Sequence, residues 1–399
     1  MTSPVMSQVR TAVIGALLIV LGPLSLSLYT PAMPVLVQAF GTTPAMMKLT
    51  LSIYFFGFAM SQLICGPLSD AFGRRPAAIG FFSIYVAGSL VAAMACDITW
   101  LIIGRGLQGV GVAAGPAISR ALVRDQFTGQ ASARILNLIG TMLAIGPAVA
   151  PTLGGAILGL VGWQPIFYVM VVYGVAALGF LALAVPETNH APDPRQARPG
   201  RILSNYATLL RHAGFMRASL LIGVSLGGIY TLAAIVPFVL IETVGLTPTQ
   251  FGLAMLCQTG SYMFGTIVAG QAMKRVEASR LIPVGVALVL AAGCAVAVLT
   301  RLATPSFITV MGPVGLWAFG VALLLPGGTT AALSGFPRMA GSAAALMGCM
   351  QIGGGFIGSA LASLLPNPLM ALGTVVPAMA CLSPLPILLL RPAPLEPDR

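Results

Sequence analysis

One arginine stands where charge is costly. Arg105 lies in the otherwise apolar run from Leu101 to Val112, with Gln108 and Gly109 three and four residues on. On a helix those positions share a face, which makes an arginine–amide pair inside a membrane-spanning segment. An unpaired charge in hydrocarbon costs at least about 2.5–3.5 kcal/mol, so ionisable residues there mark binding or proton transfer by default. The plainer reading is an arginine that snorkels toward an interface or bonds backbone carbonyls. The acids lie elsewhere. Asp70, Asp97, Asp125, Glu187, Asp193, Glu242, Glu277, Glu396 and Asp398 all fall in polar segments or near the ends of apolar runs, and His190 and His212 sit in or beside the longest polar stretch. No nucleophile–base pair or metal-ligand cluster emerges, and no G-x-x-x-x-G-K-[ST] occurs. Gly353 to Gly358 reads GGGFIG, but it lies inside an apolar run with no strand before it, so it is a packing surface. An enzyme, a cofactor and a metal are therefore not expected.

The elements that must position these residues are membrane helices. Of 399 residues, 57% are apolar and only 7% charged, where a soluble domain carries roughly 25% charged residues. The apolar runs are continuous and near the roughly 20 residues a bilayer-crossing helix needs, and the alternating pattern of a barrel is absent. Twelve runs result, near 10–32, 47–68, 77–95, 100–121, 134–160 and 166–185, then 213–241, 250–272, 281–300, 307–331, 342–364 and 369–390. The expected fold is all-α, with six-helix units at 1–185 and 213–399 and a Pro- and Arg-rich cytoplasmic linker at 186–212 that buries no core. The first run reads as a span rather than a cleaved signal. With twelve spans and both termini cytoplasmic, Lys48 and Arg301 alone face outward, and every other lysine or arginine except Arg105 faces inward, as the positive-inside bias demands. The net charge of +11 is scattered over short loops, which argues against nucleic acid. The six cysteines read as small buried hydrophobes without disulfide or metal spacing.

Between the second and third spans the chain reads GPLSDAFGRRP, Gly66 to Pro76. This resembles the signature of the major facilitator superfamily at every defining position. Gly73 permits a tight turn, Arg74 and Arg75 anchor the loop on the basic side, and Asp70 is a carboxylate for a helix N-terminus or an arginine. The resemblance implies that Asp70, Gly73 and Arg74 belong to a latch between the two halves. In the fifth span GTMLAIGPAVAPTLGG, Gly140 to Gly155, is similar to the motif of drug:proton antiporters, with Gly146 and Pro147 at its centre. Glycines allow close helix approach, while Pro147 and Pro151 remove backbone donors and bend the helix. The stretches Pro23 to Pro34, Ile102 to Gly115, Arg120 to Asp125, Pro237 to Glu242 and Phe336 to Ala343 look like the bicyclomycin/chloramphenicol-resistance exporters.

That resemblance implies alternating-access export of small drug-like or metabolite molecules across a bacterial inner membrane, driven by protons, by a multi-pass monomer among lipids. The family carries an aspartate in the first span, and aligned on Tyr29 and Pro31 that position is Ser27. Serine cannot carry a proton and arginine stays protonated. Either Glu242 or Asp70 carries it, or an anionic substrate pairs with Arg105, or transport is uncoupled. Import or exchange of an anionic metabolite is the competing transporter reading, and a non-transporting receptor the reading from another class. In the family's cavity between the halves, the candidate contacts from the first half are Ser27, Tyr29, Tyr54, Arg105, Gln108, Asn137 and Met142. From the second half they are Tyr230, Gln258, Tyr262 and Gln351. Each is also a reasonable helix–helix hydrogen bond or packing residue.

Overall fold

The computed structural model describes residues 5–127, 129–189, 192–336 and 339–390. The helices are α1 (Gln8–Ala39), α2 (Pro44–Phe72), α3 (Arg74–Ala93), α4 (Ile98–Gln126), α5 (Gly129–Val161), α6 (Gln164–Ala184), α7 (Ala213–Thr243), α8 (Pro248–Ala272), α9 (Ala278–Leu302), α10 (Phe307–Leu333), α11 (Ala340–Ser363) and α12 (Pro368–Leu389). Eleven of them are long and apolar enough to cross a membrane, and α5 adds the apolar run Gly146–Val161. The expected spans lie within a few residues of these, apart from α1. That helix runs on past position 32 through a tighter turn at Thr30–Ala32 and reaches Ala39.

Polar caps set where the helices start. Thr43 accepts from the Met46 amide at 3.2 Å, and Asp97 accepts from Thr99 and Trp100 at 2.7 and 3.0 Å. Capping boxes open α8 (Thr247 with Gln250) and α10 (Ser306 with Thr309). Each cap satisfies amides the first turn leaves unpaired and contributes about 1 kcal/mol. Asp97 is thereby a helix cap, which accounts for one of the nine acids.

The two sets of six helices repeat one packing scheme. In the first, α1 packs on α5, α2 on α4, α3 on α4 and α3 on α6. In the second, α7 packs on α11, α8 on α10, α9 on α10 and α9 on α12. The sets meet along α2 with α11 and α5 with α8, the pairs that the same operation exchanges.

Two expectations need correction. The linker contains a helix, Pro199–Arg211, that buries Tyr206 and Leu209. Ile202, Tyr206 and Leu209 recur at helical spacing, and that apolar stripe was hidden by the polar average of the segment. The cysteines are all free, but only Cys65 and Cys349 are buried, while Cys96, Cys257, Cys294 and Cys381 are exposed. In a membrane protein an apolar run has a lipid-facing side, so apolar surroundings do not entail burial.

Candidate functional site

Arg105 lies inside the first six-helix set with 0% of its surface exposed. One guanidinium nitrogen, Nη1, donates to Gln108 Oε1 at 2.7 Å and to the Ser25 carbonyl on α1 at 3.4 Å. Its charge is sandwiched by aromatic rings, 4.6 Å from the Tyr29 centroid and 4.3 Å from that of Tyr54. Such cation–π contacts stabilise a desolvated cation by about 2 kcal/mol or more. Gln108 passes the network on, donating to Ser89 Oγ at 2.8 Å. Tyr29 reaches Thr50 at 2.8 Å, Tyr54 donates to the Gly22 carbonyl at 2.9 Å, and Tyr85 shares a 2.5 Å hydrogen bond with Ser25. Nε and Nη2 of Arg105 have no partner among the described residues, and neither makes an ion pair there. The close α2–α4 crossing depends on Gly109, where a Cβ would collide with the Tyr54 carbonyl.

The four first-half residues Tyr29, Tyr54, Arg105 and Gln108 are thus brought together, but within the first helix set. Ser27 is not part of this cluster. Ser25 and Tyr29 touch Arg105, and they are four residues apart on one face of α1. Ser27 is about 200° around from Ser25 at 100° per residue and is half-buried on the far side. A carboxylate at position 27 would not reach Arg105 in this conformation. Tyr230, Tyr262, Gln351 and Met142 are half-buried, and Gln258 is buried with its Oε1 unpartnered among the described residues. The Tyr230 ring packs on Phe55 across the two sets at 5.4 Å. The side chain of Asn137 lies outside the described residues, as do His190, Arg338, Glu396 and Asp398.

At the linker end, Arg74 is the hub. It bonds Asp70, Asp125 (2.8 Å) and Ser69 (2.8 Å). The sequence gives no hint of the Glu187 carboxylate, which accepts from the amides of Arg74 and Arg75 at 2.9 and 3.0 Å and so caps α3 across 113 residues. Gly73, at φ +103°, supplies both the left-handed turn and the space, because a Cβ there would lie 2.6 Å from Glu187 Oε2. All these partners belong to the first set or the linker. Tyr206 of the linker helix donates to the Leu63 carbonyl at 2.6 Å. Burial pushes its phenol above the usual range, so it remains a donor.

The hydrogen bonds that join the two sets directly lie, among the described residues, from mid-bundle to the end opposite the linker. Thr152 donates to the Gly252 carbonyl (3.1 Å), and Thr249 to that of Gly155 (3.3 Å). Thr259 donates to the Pro147 carbonyl at 3.3 Å. Pro151 lacks the amide that would otherwise claim that carbonyl, so the second proline of the expected motif creates the acceptor for the opposite set. Gly146 is in ordinary contact only, with the tight approaches of α5 at Gly154 and Gly155 instead. Lys48, expected to face outward at the start of the second span, is buried in α2 and donates to the carbonyls of Ala362 and Leu365 at the end of α11. Glu242 sits nearby on a wide turn, Val239–Thr243, that ends α7.

A pseudo-symmetric pair of six-helix sets, joined at α2–α11 and α5–α8, is one half of the identification. The sequence model described as Major Facilitator Superfamily matches residues 15–389. The chain belongs to the major facilitator superfamily. Among relatives in this superfamily, multidrug resistance protein D of Escherichia coli (strain K12) is 28% identical, with 88% of each chain covered. A chloramphenicol resistance protein of Pseudomonas aeruginosa is also 28% identical, over 91% of this chain and 88% of its own. The fold of a D-xylose-proton symporter superposes with a TM-score of 0.72 at 14% identity, over 94% and 97% of the two chains. This major facilitator protein is accordingly a multi-pass transporter of the inner membrane and not an enzyme.

Proposed function

We propose that this transporter exports small drug-like or metabolite molecules by alternating access, in exchange for protons, with the linker end in the cytoplasm. The observation that carries this reading is the likeness, over nearly nine-tenths of both chains, to relatives named for multidrug and chloramphenicol resistance. The concentration of inter-set bonds at one end supports it, since a two-sided transporter must be closed on one face while open on the other. The basic residues at the linker end support the orientation. Tyr29, Tyr54, Arg105 and Gln108 act by fixing the shape and charge of the first set, while half-buried Ser27, Tyr230, Tyr262 and Gln351 meet the substrate. For the proton, Glu242 is the better candidate. Asp70 is committed to Arg74, whereas Glu242 forms no ion pair within 4 Å among the described residues.

A second reading is favoured by the two unpartnered nitrogens of Arg105: an anionic substrate that supplies the missing charge, with no proton exchanged. Purified protein in liposomes with an imposed pH gradient separates the two. Efflux of a drug-panel compound that follows the gradient and is lost in Glu242→Gln supports the proton reading. Transport indifferent to the gradient, or a Glu242→Gln variant that still responds to it, removes Glu242 from this role.

A further inference from the structure

We infer that Lys48 is the clasp that holds the end opposite the linker shut, and that it sets how often this transporter opens there. The inference rests on the alternating-access reading above. Lys48 belongs to α2 of the first set, and its side chain is completely buried. Its ammonium donates to the Ala362 carbonyl at 2.6 Å and the Leu365 carbonyl at 2.9 Å, both in the other set.

The local sequence makes those two carbonyls available. The Ala362 carbonyl lacks its helical partner, because residue 366 is a proline, and takes only a long bond of 3.4 Å from the Leu365 amide, which leaves a lone pair for the ammonium. Leu365 lies beyond the end of α11, and the next helical amides, Leu369 and Met370, are taken by the Asn367 side chain. A cation at a helix C-terminus also meets the negative end of the helix dipole. Glu242 of α7, in the same set as those carbonyls, adds its charge, with no direct ion pair among the described residues. One turn deeper, Ser52 and Ser359 share a hydrogen bond of 2.9 Å between the same two helices.

Among the described residues nothing comparable joins α2 to α11 at the linker end, where Gln62 merely packs on Gly348 with its Oε1 unpartnered. Separation of the two sets at the Lys48 end must break both ammonium bonds and the serine pair together. These bonds therefore exist in one conformation only, and a contact confined to one conformation shifts the population toward it. Lys48 is a positioning residue, distinct from the residues assigned above to substrate or proton.

The test reads opening directly. In a chain with Cys96, Cys257, Cys294 and Cys381 replaced by serine, Ser359→Cys is labelled by a membrane-impermeant maleimide applied from the side opposite the linker. Lys48→Met removes both ammonium bonds and should raise the labelling rate at least about tenfold, the shift that losing even one charged hydrogen bond gives, while Lys48→Arg should stay near the parent. Equal labelling of Lys48→Met and the parent overturns the proposal. A second measurement does not depend on that variant's folding. With Lys48 intact, a disulfide between Ser52→Cys and Ser359→Cys should arrest transport until it is reduced. Transport that continues through the closed disulfide also overturns the proposal. A failure of the proton-gradient experiment alone leaves both readouts unaffected, so the clasp and the coupling can fail separately.

Discussion

The two six-helix sets place different chemistry at matching positions. In the first, Arg105 on α4 reaches the Ser25 carbonyl on α1; in the second, Trp317 on α10 donates through its indole to the Ser225 carbonyl on α7 at 2.9 Å. Both side chains are essentially unexposed, and both bridge the fourth helix of a set to its first. One set thus closes its core on a cation with its amide, hydroxyl and phenol neighbours, and the other on an aromatic ring among apolar side chains. The indole shows that the architecture has no need of a charge here. What the charge adds must be sought in the transport cycle rather than in holding the fold together.

Substitutions at these positions can break or sharpen that contrast. The largest effect is expected from Gly109→Val, which drives a branched side chain into the Tyr54 carbonyl and separates α2 from α4. Overpacking of this kind costs about 1–3 kcal/mol or more, and a thermal-unfolding assay in detergent should show a fall of many degrees or no folded protein. Next comes Arg105→Met. Arg105 makes no ion pair among the described residues, so its removal strands no opposite charge, and the melting temperature should hold within a few degrees while transport falls at least about tenfold. A variant that transports normally would erase the functional difference between the sets. Trp317→Phe should do the reverse, lowering stability by about 1–2 kcal/mol through the lost hydrogen bond and leaving transport near the parent level. The smallest change is expected from Thr259→Val, which leaves the Pro147 carbonyl without its donor. Stability should drop by no more than about 1 kcal/mol, with a measurable change in transport rate because the bond crosses the two sets.

Much of this could be read from the chain alone, for a physical reason. Membrane helices are announced by composition. The Arg105–Gln108 pair was legible because its spacing is local. Contacts between distant segments were not. Lys48 reads as an outward-facing lysine at the start of the second span, and only folding brings it to carbonyls 314 and 317 residues away. Glu187 reads as a linker acid, yet it closes the start of α3. Ser27 is a different case, because helix geometry alone separates it from Ser25 and Tyr29, so its distance from Arg105 could have been worked out. The linker helix was missed because averaging over a polar segment hides three apolar residues at helical spacing.

The engagement of Glu187 with the start of α3 bears on how the two sets move. Asn189 donates to the Asp70 carbonyl at 3.0 Å, and the Asp193 amide bonds the same carbonyl at 3.2 Å. The opening stretch of the connection is therefore splinted to the first set and travels with it. Mechanically the connection is a short coupling rather than a slack rope, because the turn Pro194–Ala197 also packs on α2 and Tyr206 of the linker helix bonds the Leu63 carbonyl. Added length spliced in just before Glu187 would unseat the cap on α3.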